Sequence, residues 1–341
     1  MKYLAFLFIP LTGYYSLISH DWKVFMIILL TFILTPLIEL IISSRSKLLR
    51  QDQIVEIKNK KIYDLLLYSI VPLQYFLLIT FLMEISVETS PWILAVKTLS
   101  MGILCGVLGI NVAHELGHRH KKSEQWLAQS LLLTSLYMHF FIEHNRGHHK
   151  NIGTPQDPVT ARFNENIYQF VGRCVPQVFM AAWNLEKNRM HRLSLNTWSW
   201  SNQMIRFLTF EILLMLCIGL IFGFKSLLFF VIAASIGFIL LECIDYIEHY
   251  GLKRKELKPG IYESIQAKHS WNSNQILGRV LLFELPLHPA HHKNSSTPYQ
   301  ALQSEMSAPQ MPLGYPGMII LALFPKLWFT MINPIATKAM L

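Results

Sequence analysis

Apolar residues in this chain come in long unbroken runs, without the alternation that marks half-buried strands. The runs cover residues 3–19, 23–43, 62–85, 92–113, 205–222 and 227–243. Each comes close to the ~20 helical residues that cross a hydrocarbon core of about 30 Å. Continuous runs also exclude barrel strands, so helices are the only spanning elements the pattern allows. The runs pair off as three hairpins. The first follows Lys2 and superficially matches a secretory leader, but no small-x-small cleavage site follows it and the next run starts almost at once, so it is read as a retained span. Two long polar segments remain, 114–204 and 244–341. The expected fold class is therefore an all-α integral membrane protein of about six transmembrane helices, one domain over residues 1–341, with a cap made from those two segments.

Composition strengthens that picture: 52% of residues are apolar and only 15% are charged, well below the charged share of a soluble domain. The net charge of +9 is unevenly placed. Arg45, Lys47, Arg50, Lys58, Lys60 and Lys61 lie between the second and third runs, whereas the turns near Asp21, Glu88 and Gly223 carry few basic groups. By the positive-inside rule both termini and both polar segments face the cytoplasm. The basic excess suits anionic lipid or an acidic protein partner, and no nucleic-acid partner is expected. Cys105, Cys174, Cys217 and Cys243 form no C-x-x-C pair, so no disulfide framework or iron–sulfur ligand set is encoded. No G-x-G-x-x-G follows a strand to hold a flavin or nicotinamide.

Histidine carries the candidate chemistry. Most of the 14 fall in four clusters: "HELGH" with His114 and His118, "EHNRGHHKN" with His144, His148 and His149, "DYIEHYGL" with His249, and "LHPAHHKN" with His288, His291 and His292. His114 and His118 are an i, i+4 pair with both rings on one helix face. Two clusters begin where a run ends on the cytoplasmic side and the other two lie in the same compartment, so all four can meet at one depth. Nine imidazoles exceed the four to six ligands of one metal, which implies two. Redox-active iron explains this surplus better than a hydrolytic zinc, whose site typically takes three protein ligands and keeps one position open. Glu242 and Asp245 share a helix face with His249 and, with Glu115, are candidates to hydrogen-bond the ligand rings and fix their tautomers. Asp157, in "GTPQDP", either caps a helix or faces the metals. His20, His120, His139 and His191 are read as structural.

In this order and spacing, "HELGHRH", "EHNRGHHKNIGTPQDP", "DYIEHYGL", "HSWNSN" and "LHPAHHKN" resemble the integral-membrane alkane monooxygenases, over residues 111–303. The resemblance implies a non-haem centre of two iron ions held by the nine histidines and fed with O2. It also implies a rubredoxin or ferredoxin with an NAD(P)H-dependent reductase as electron donor, and an apolar alkane-like substrate whose terminal methyl group becomes a primary alcohol. A bacterial inner-membrane location goes with it. His269 belongs to the "HSWNSN" string and is expected beside the site, not in it. One departure lies in "FELPLHPAHH", where Pro286 and Pro289 fix the backbone around His288 and the family usually has a glutamine–arginine pair. Phe25, Phe32, Phe76, Phe81 and Leu82 are candidates for a substrate tunnel. The rival readings are an aryl-methyl (xylene-type) monooxygenase, an acyl-lipid desaturase or hydroxylase, and a zinc protease using His114, His118 and Glu115. A metal transporter is a more distant rival, because transport sites lie near the bilayer midplane and these histidines lie beyond the ends of the runs.

Overall fold

The structure, a computed structural model, describes residues 2–42 and 44–340 and is mostly helical, with one small antiparallel pairing, Glu256–Lys258 against Ile261–Tyr262, and a parallel bridge between Asn272 and Gln310. Apolar runs become helices because a peptide group in lipid must find its partner within its own segment. Among the described residues four helices are long and apolar enough to cross a membrane: Trp22–Ile41, Ile62–Val87, Pro91–Gly117 and Gln203–His249. The first run is a 3-10 segment, Lys2–Leu7, leading into the 11-residue helix Phe8–Ile18, which is shorter than a spanning helix needs. The expected end of the second run, residue 43, lies outside the described residues.

The fifth and sixth runs are joined without a loop in Gln203–His249, whose 47 residues would reach about 70 Å if straight. They are not straight. At Gly223 the backbone takes φ 84° and ψ 167°, which is open to glycine and strained for other residues. Glu211, before this break, accepts the Met138 N–H at 2.9 Å, and Glu242, beyond it, accepts the Tyr137 hydroxyl at 2.5 Å. A straight helix would hold those two glutamates about 46 Å apart. The chain therefore folds back at Gly223 into two arms, and among the described residues the six apolar runs form six helical arms.

Their turns meet at one end. His20 Nδ1 lies 2.8 Å from Glu88 Oε2, the buried Lys97 ammonium bonds Glu84 at 2.8 Å, and the Lys225 ammonium donates to the Glu88 carbonyl. The three hairpin turns are thus tied together by polar contacts. Below them the arms approach through small residues. Gly102 and Gly106, a G-x-x-x-G pair, face Gly237 of the last arm; a Cβ on Gly237 would lie 2.6 Å from Cys105 Cβ, and one on Gly102 2.4 Å from Ile236. Close packing of this kind is what holds helices together where lipid removes the hydrophobic drive. At the opposite end stand the histidines.

The loop before the last histidine cluster is fixed from several directions. Phe283 and Glu284 adopt positive φ of 51° and 61°, and the buried Glu284 carboxylate takes Lys2 at 2.7 Å, the Tyr3 hydroxyl at 2.6 Å and Arg279 at 2.7 Å. Burial alone would raise its carboxyl, but Lys47, Arg279 and Lys2 together hold it down at about 2. Lys47, crowded by Lys2 and Arg279 as well as buried, is held down at about 8 even with Glu284 beside it, so the gain lies on the carboxylate side.

Candidate metal centre

The nine histidines gather into two adjoining nests. His114, His118, His144, His149 and His291 form one, and His148, His249, His288 and His292 the other, with the ligand atoms of each nest within 4.8 Å of one another. Local helix geometry explains the sorting. His114 and His118 are one α-turn apart at the end of Pro91–Gly117, and His288 and His292 one α-turn apart in His288–Lys293. His144 and His149 are five apart, a spacing that would splay them on an α-helix. Here residues His144–His148 form a π-turn, whose i→i+5 bonding brings that spacing onto one face. Within "HH" pairs the two rings diverge, so His148 and His149, like His291 and His292, feed different nests.

The donor set fits metal. In the five-histidine nest the Nε2 atoms run His114–His291–His149–His144–His118 with every step 3.1 Å. In the other they run His148–His292–His288–His249 with steps of 3.2, 2.8 and 3.1 Å. A single ring nitrogen offers either one proton or one lone pair, so the inner members of such a chain cannot serve both neighbours well. A central cation satisfies every lone pair at once, and donors at about 2.1 Å in a right-angled arrangement lie about 3.0 Å apart. Burial, reinforced by neighbouring imidazoles, holds His118, His144, His149, His288, His291 and His292 well below their ordinary values, which keeps them the neutral ligands a metal needs.

The acidic neighbours divide. Asp157 faces the site: its Oδ2 lies 3.0 Å from His148 Nδ1 and also takes the Thr160 hydroxyl. Asp245 lines the cavity beside the nests and clusters with Glu248 and His249. Glu242 turns away from the rings, accepting from the Tyr137 hydroxyl and the Cys174 thiol. Glu115 also touches no ligand ring: Arg119 bonds it at 2.7 Å and the Tyr299 N–H at 3.2 Å, which removes the general base that the zinc protease reading requires. His269 bonds the Gln266 N–H and Glu263, and the neighbouring Trp271 donates to the carbonyls of Glu248 and Tyr250. The string "HSW" thus pins the end of the His249 helix and supplies no ligand. His20, His120, His139 and His191 join neither nest; His139 stacks edge-on against Tyr137.

Two residues were not singled out from sequence. Glu248 Oε2 lies 3.2 Å from His288 Nε2 while its Oε1 accepts the Tyr315 hydroxyl. Its signal was available, since it is three residues after Asp245 and so on the same face. Glu143 is buried with Oε1 unpartnered and packs against Gly147. Nothing in its spacing marks it.

An apolar cavity, about 940 Å³ with its open mouth included, opens onto the nests at His114, His144 and His288. It runs between the arms past Gly106, Val107, Leu240 and Ile244 to Ile9, Phe32 and Thr35. Of the five tunnel candidates only Phe32 lines it. Phe25 and Phe76 point outward, 37% and 51% exposed, while Phe81 and Leu82 are packed in the core. The tunnel follows the gaps left by small residues on Pro91–Gly117, a feature an aromatic stripe does not report.

Long apolar arms ending in two buried imidazole nests beside a greasy cavity define an integral-membrane protein equipped to hold metal at the end of its helical bundle. More specifically, the chain belongs to the fatty acid desaturase family, which residues 90–321 match. It is similar to an alkane 1-monooxygenase of Ectopseudomonas oleovorans, 34% identical over 94% of this chain and 80% of the relative. It is also similar to alkane 1-monooxygenase 1 of Alcanivorax borkumensis, 35% identical with the same coverage. The hydroxylase component of a xylene/toluene monooxygenase from Pseudomonas putida is 30% identical over 69% of this chain and 62% of that relative.

Proposed function

We propose that the protein is an alkane 1-monooxygenase: it inserts one atom of O2 into the terminal C–H bond of an alkane drawn from the bilayer, giving a primary alcohol and water. The balance needs two electrons and two protons, hence a separate electron-transfer partner, for which we propose a rubredoxin or ferredoxin with its NAD(P)H-dependent reductase. The observation that carries the reading is the opening of one apolar cavity onto both histidine nests. Similarity to alkane 1-monooxygenases over most of the chain supports it.

In this reading the nine histidines hold two irons, five on one and four on the other. Iron bound there supplies the oxygen-activating, C–H-cleaving chemistry. The chain supplies the rest. Leu240, Ile244 and Val107 exclude water and steer a methyl group toward His114 and His288. Asp157 holds the His148 ring in the tautomer that leaves Nε2 free. Partition into lipid concentrates the substrate, each CH2 contributing about 0.8 kcal/mol. We place six helical arms across a bacterial inner membrane, all in one domain, with both termini and the nests at the cytoplasmic side, where Arg45, Lys47 and Arg50 follow the second arm.

The test is to purify the protein anaerobically, measure iron and zinc per chain, and supply a rubredoxin system with a series of n-alkanes, toluene and an acyl lipid. Two irons and a terminal alcohol from the alkanes are expected. Stoichiometric zinc without oxygen uptake would overturn the reading, and exclusive turnover of toluene would move the protein to the aryl-methyl class.

A further inference from the structure

A second cavity, about 300 Å³ with its open mouth included, lies beside the first at the end of helix Trp22–Ile41 that precedes the basic stretch. Its walls are Pro36, Glu39, Leu40, Gln275, Leu313 and two glycines. Glu39 is only 5% exposed although it sits on the least buried of the long helices, between the outward-facing Ile38 and Leu40. Its Oε1 accepts the Gly278 N–H at 2.7 Å, and its Oε2 has no partner among the described residues. Gln275 Oε1, on the same wall, is also buried without a partner among them. Gly314 is what lets the Glu39 carboxylate sit in this wall, because a Cβ there would overlap Glu39 Oε2.

Two orphaned acceptors on residues that line one small cavity leave a deficit that a hydrogen-bond donor relieves. The donor's body must be apolar, since Pro36, Leu40 and Leu313 form the remaining walls and lipid lies outside. The two cavities share structure: Thr35 lines the first and Pro36 the second, and Gly278, which lines the first, holds Glu39 in the second. Along this helix Thr31, whose hydroxyl is buried and unpartnered, Thr35 and Glu39 follow one another at four-residue steps, forming a polar track on an otherwise apolar element. The helix is also locally loosened. Residues Leu30–Leu34 form a π-turn just ahead of Pro36, which has no N–H to give.

We infer that this notch is the receiving station for the long-chain primary alcohol, whose hydroxyl donates to Glu39 Oε2 or Gln275 Oε1 as the molecule leaves the apolar cavity for the lipid headgroup layer. An alkane has no donor and is not drawn there; the hydroxyl gained in the reaction is what distinguishes product from substrate. The inference rests on the alkane-hydroxylation reading for the identity of the alcohol, while the hydroxyl preference of the notch is tested without turnover.

The experiment compares equilibrium binding of radiolabelled 1-dodecanol and its methyl ether, which has the same body and no donor, to the metal-loaded protein in phosphatidylcholine/phosphatidylglycerol nanodiscs. Wild type is expected to bind the alcohol about tenfold more tightly than the ether, the worth of one good hydrogen bond. Glu39→Leu should bring the alcohol to the level of the ether, and Gln275→Leu, which leaves the Glu39–Gly278 bond intact, should lower alcohol binding severalfold with ether binding held. Metal content and melting temperature verify that each variant is folded. Equal binding of alcohol and ether by wild type, or equal losses of both in Gln275→Leu, would sink the proposal. So would loss of the alcohol preference when phosphatidylethanolamine is added, because its ammonium would then be the occupant. Failure of wild type to make alcohol from any alkane would appear in the turnover assay alone and would overturn the functional reading instead.

Discussion

At the scale of single residues the site depends on what holds each ring. His148 is oriented by Asp157, whose second contact is the Thr160 hydroxyl at 2.6 Å. Replacing Asp157 with Asn keeps the shape and removes the charge, and supporting groups of this kind typically carry about 10–100-fold in metal affinity. With two irons bound as proposed, Asp157→Asn is expected to release one of them first, seen as biphasic loss in chelator competition where wild type loses both together. Glu284 acts on the frame. Its folded value of about 2 lies below the ordinary 4.5, so folding favours its ionised form, and that contribution is whole above about pH 4.5 and is lost as pH falls toward 2. The shift corresponds to about 3 kcal/mol. Thermal melting against pH should therefore show wild type weakening through that window, with Glu284→Gln less stable at neutral pH and nearly flat across it. The gathering of the nine histidines was legible in the sequence, because paired and tripled rings at the ends of apolar runs have few other uses. Glu115 was misjudged for a physical reason: helix spacing places a carboxylate near a ring but does not reveal Arg119 and the Tyr299 N–H competing for it.

At the scale of elements, apolar runs gave the arms, while the devices that aim them were hidden. The π-turn at His144–His148 and the break at Gly223 depend on backbone choices that no hydrophobic period reports. The approach of Gly102 and Gly106 to Gly237 has the same character: G-x-x-x-G is visible, but its partner is not. This contact sets how His114, at the end of one arm, stands against His249, at the end of the other. A Cβ on Gly237 would meet Cys105 Cβ at 2.6 Å, and a Cβ cannot rotate away as a longer side-chain end can. Gly237→Val should force the arms apart, costing about 1–3 kcal/mol as overpacking does and lowering metal content in parallel. Gly172, inside Ile167–Arg192 with nothing within 4 Å of its Cβ position, is the control. Gly172→Ala is expected to leave metal content unchanged and raise stability by about 0.5–1 kcal/mol. Equal loss of metal in both variants would show that the close crossing does not position the nests.

At the scale of the whole molecule, the proposed function has substrate and electrons arriving from opposite directions. The cavity is apolar and reaches the nests from between the arms, whereas the outer side of the nests is basic. Lys150 follows His149 directly, Lys293 follows His292 and pairs with Glu305 at 3.0 Å, and Arg254 donates to the Lys150 carbonyl. Lys150, Lys253, Lys255 and Lys293 are exposed, so basic groups outnumber the carboxylate paired with Lys293. Short sequence separation between a ligand ring and an exposed lysine means short through-protein distance, so an acidic electron-transfer protein seated there would sit over the metals. Electrostatic steering of such a partner weakens as salt shortens the screening length, from about 30 Å at 0.01 M to about 10 Å at 0.1 M. With a rubredoxin as donor, Lys150→Glu together with Lys293→Glu should raise the donor KM several-fold at low salt, and the gap from wild type should narrow as salt rises. The deficit should vanish when a small-molecule reductant replaces the protein donor, because the cavity and the nests are untouched. A gap that persists with the small reductant would place the lysines in the support of His149 and His292 instead, and the donor would then have to reach the metals across another face.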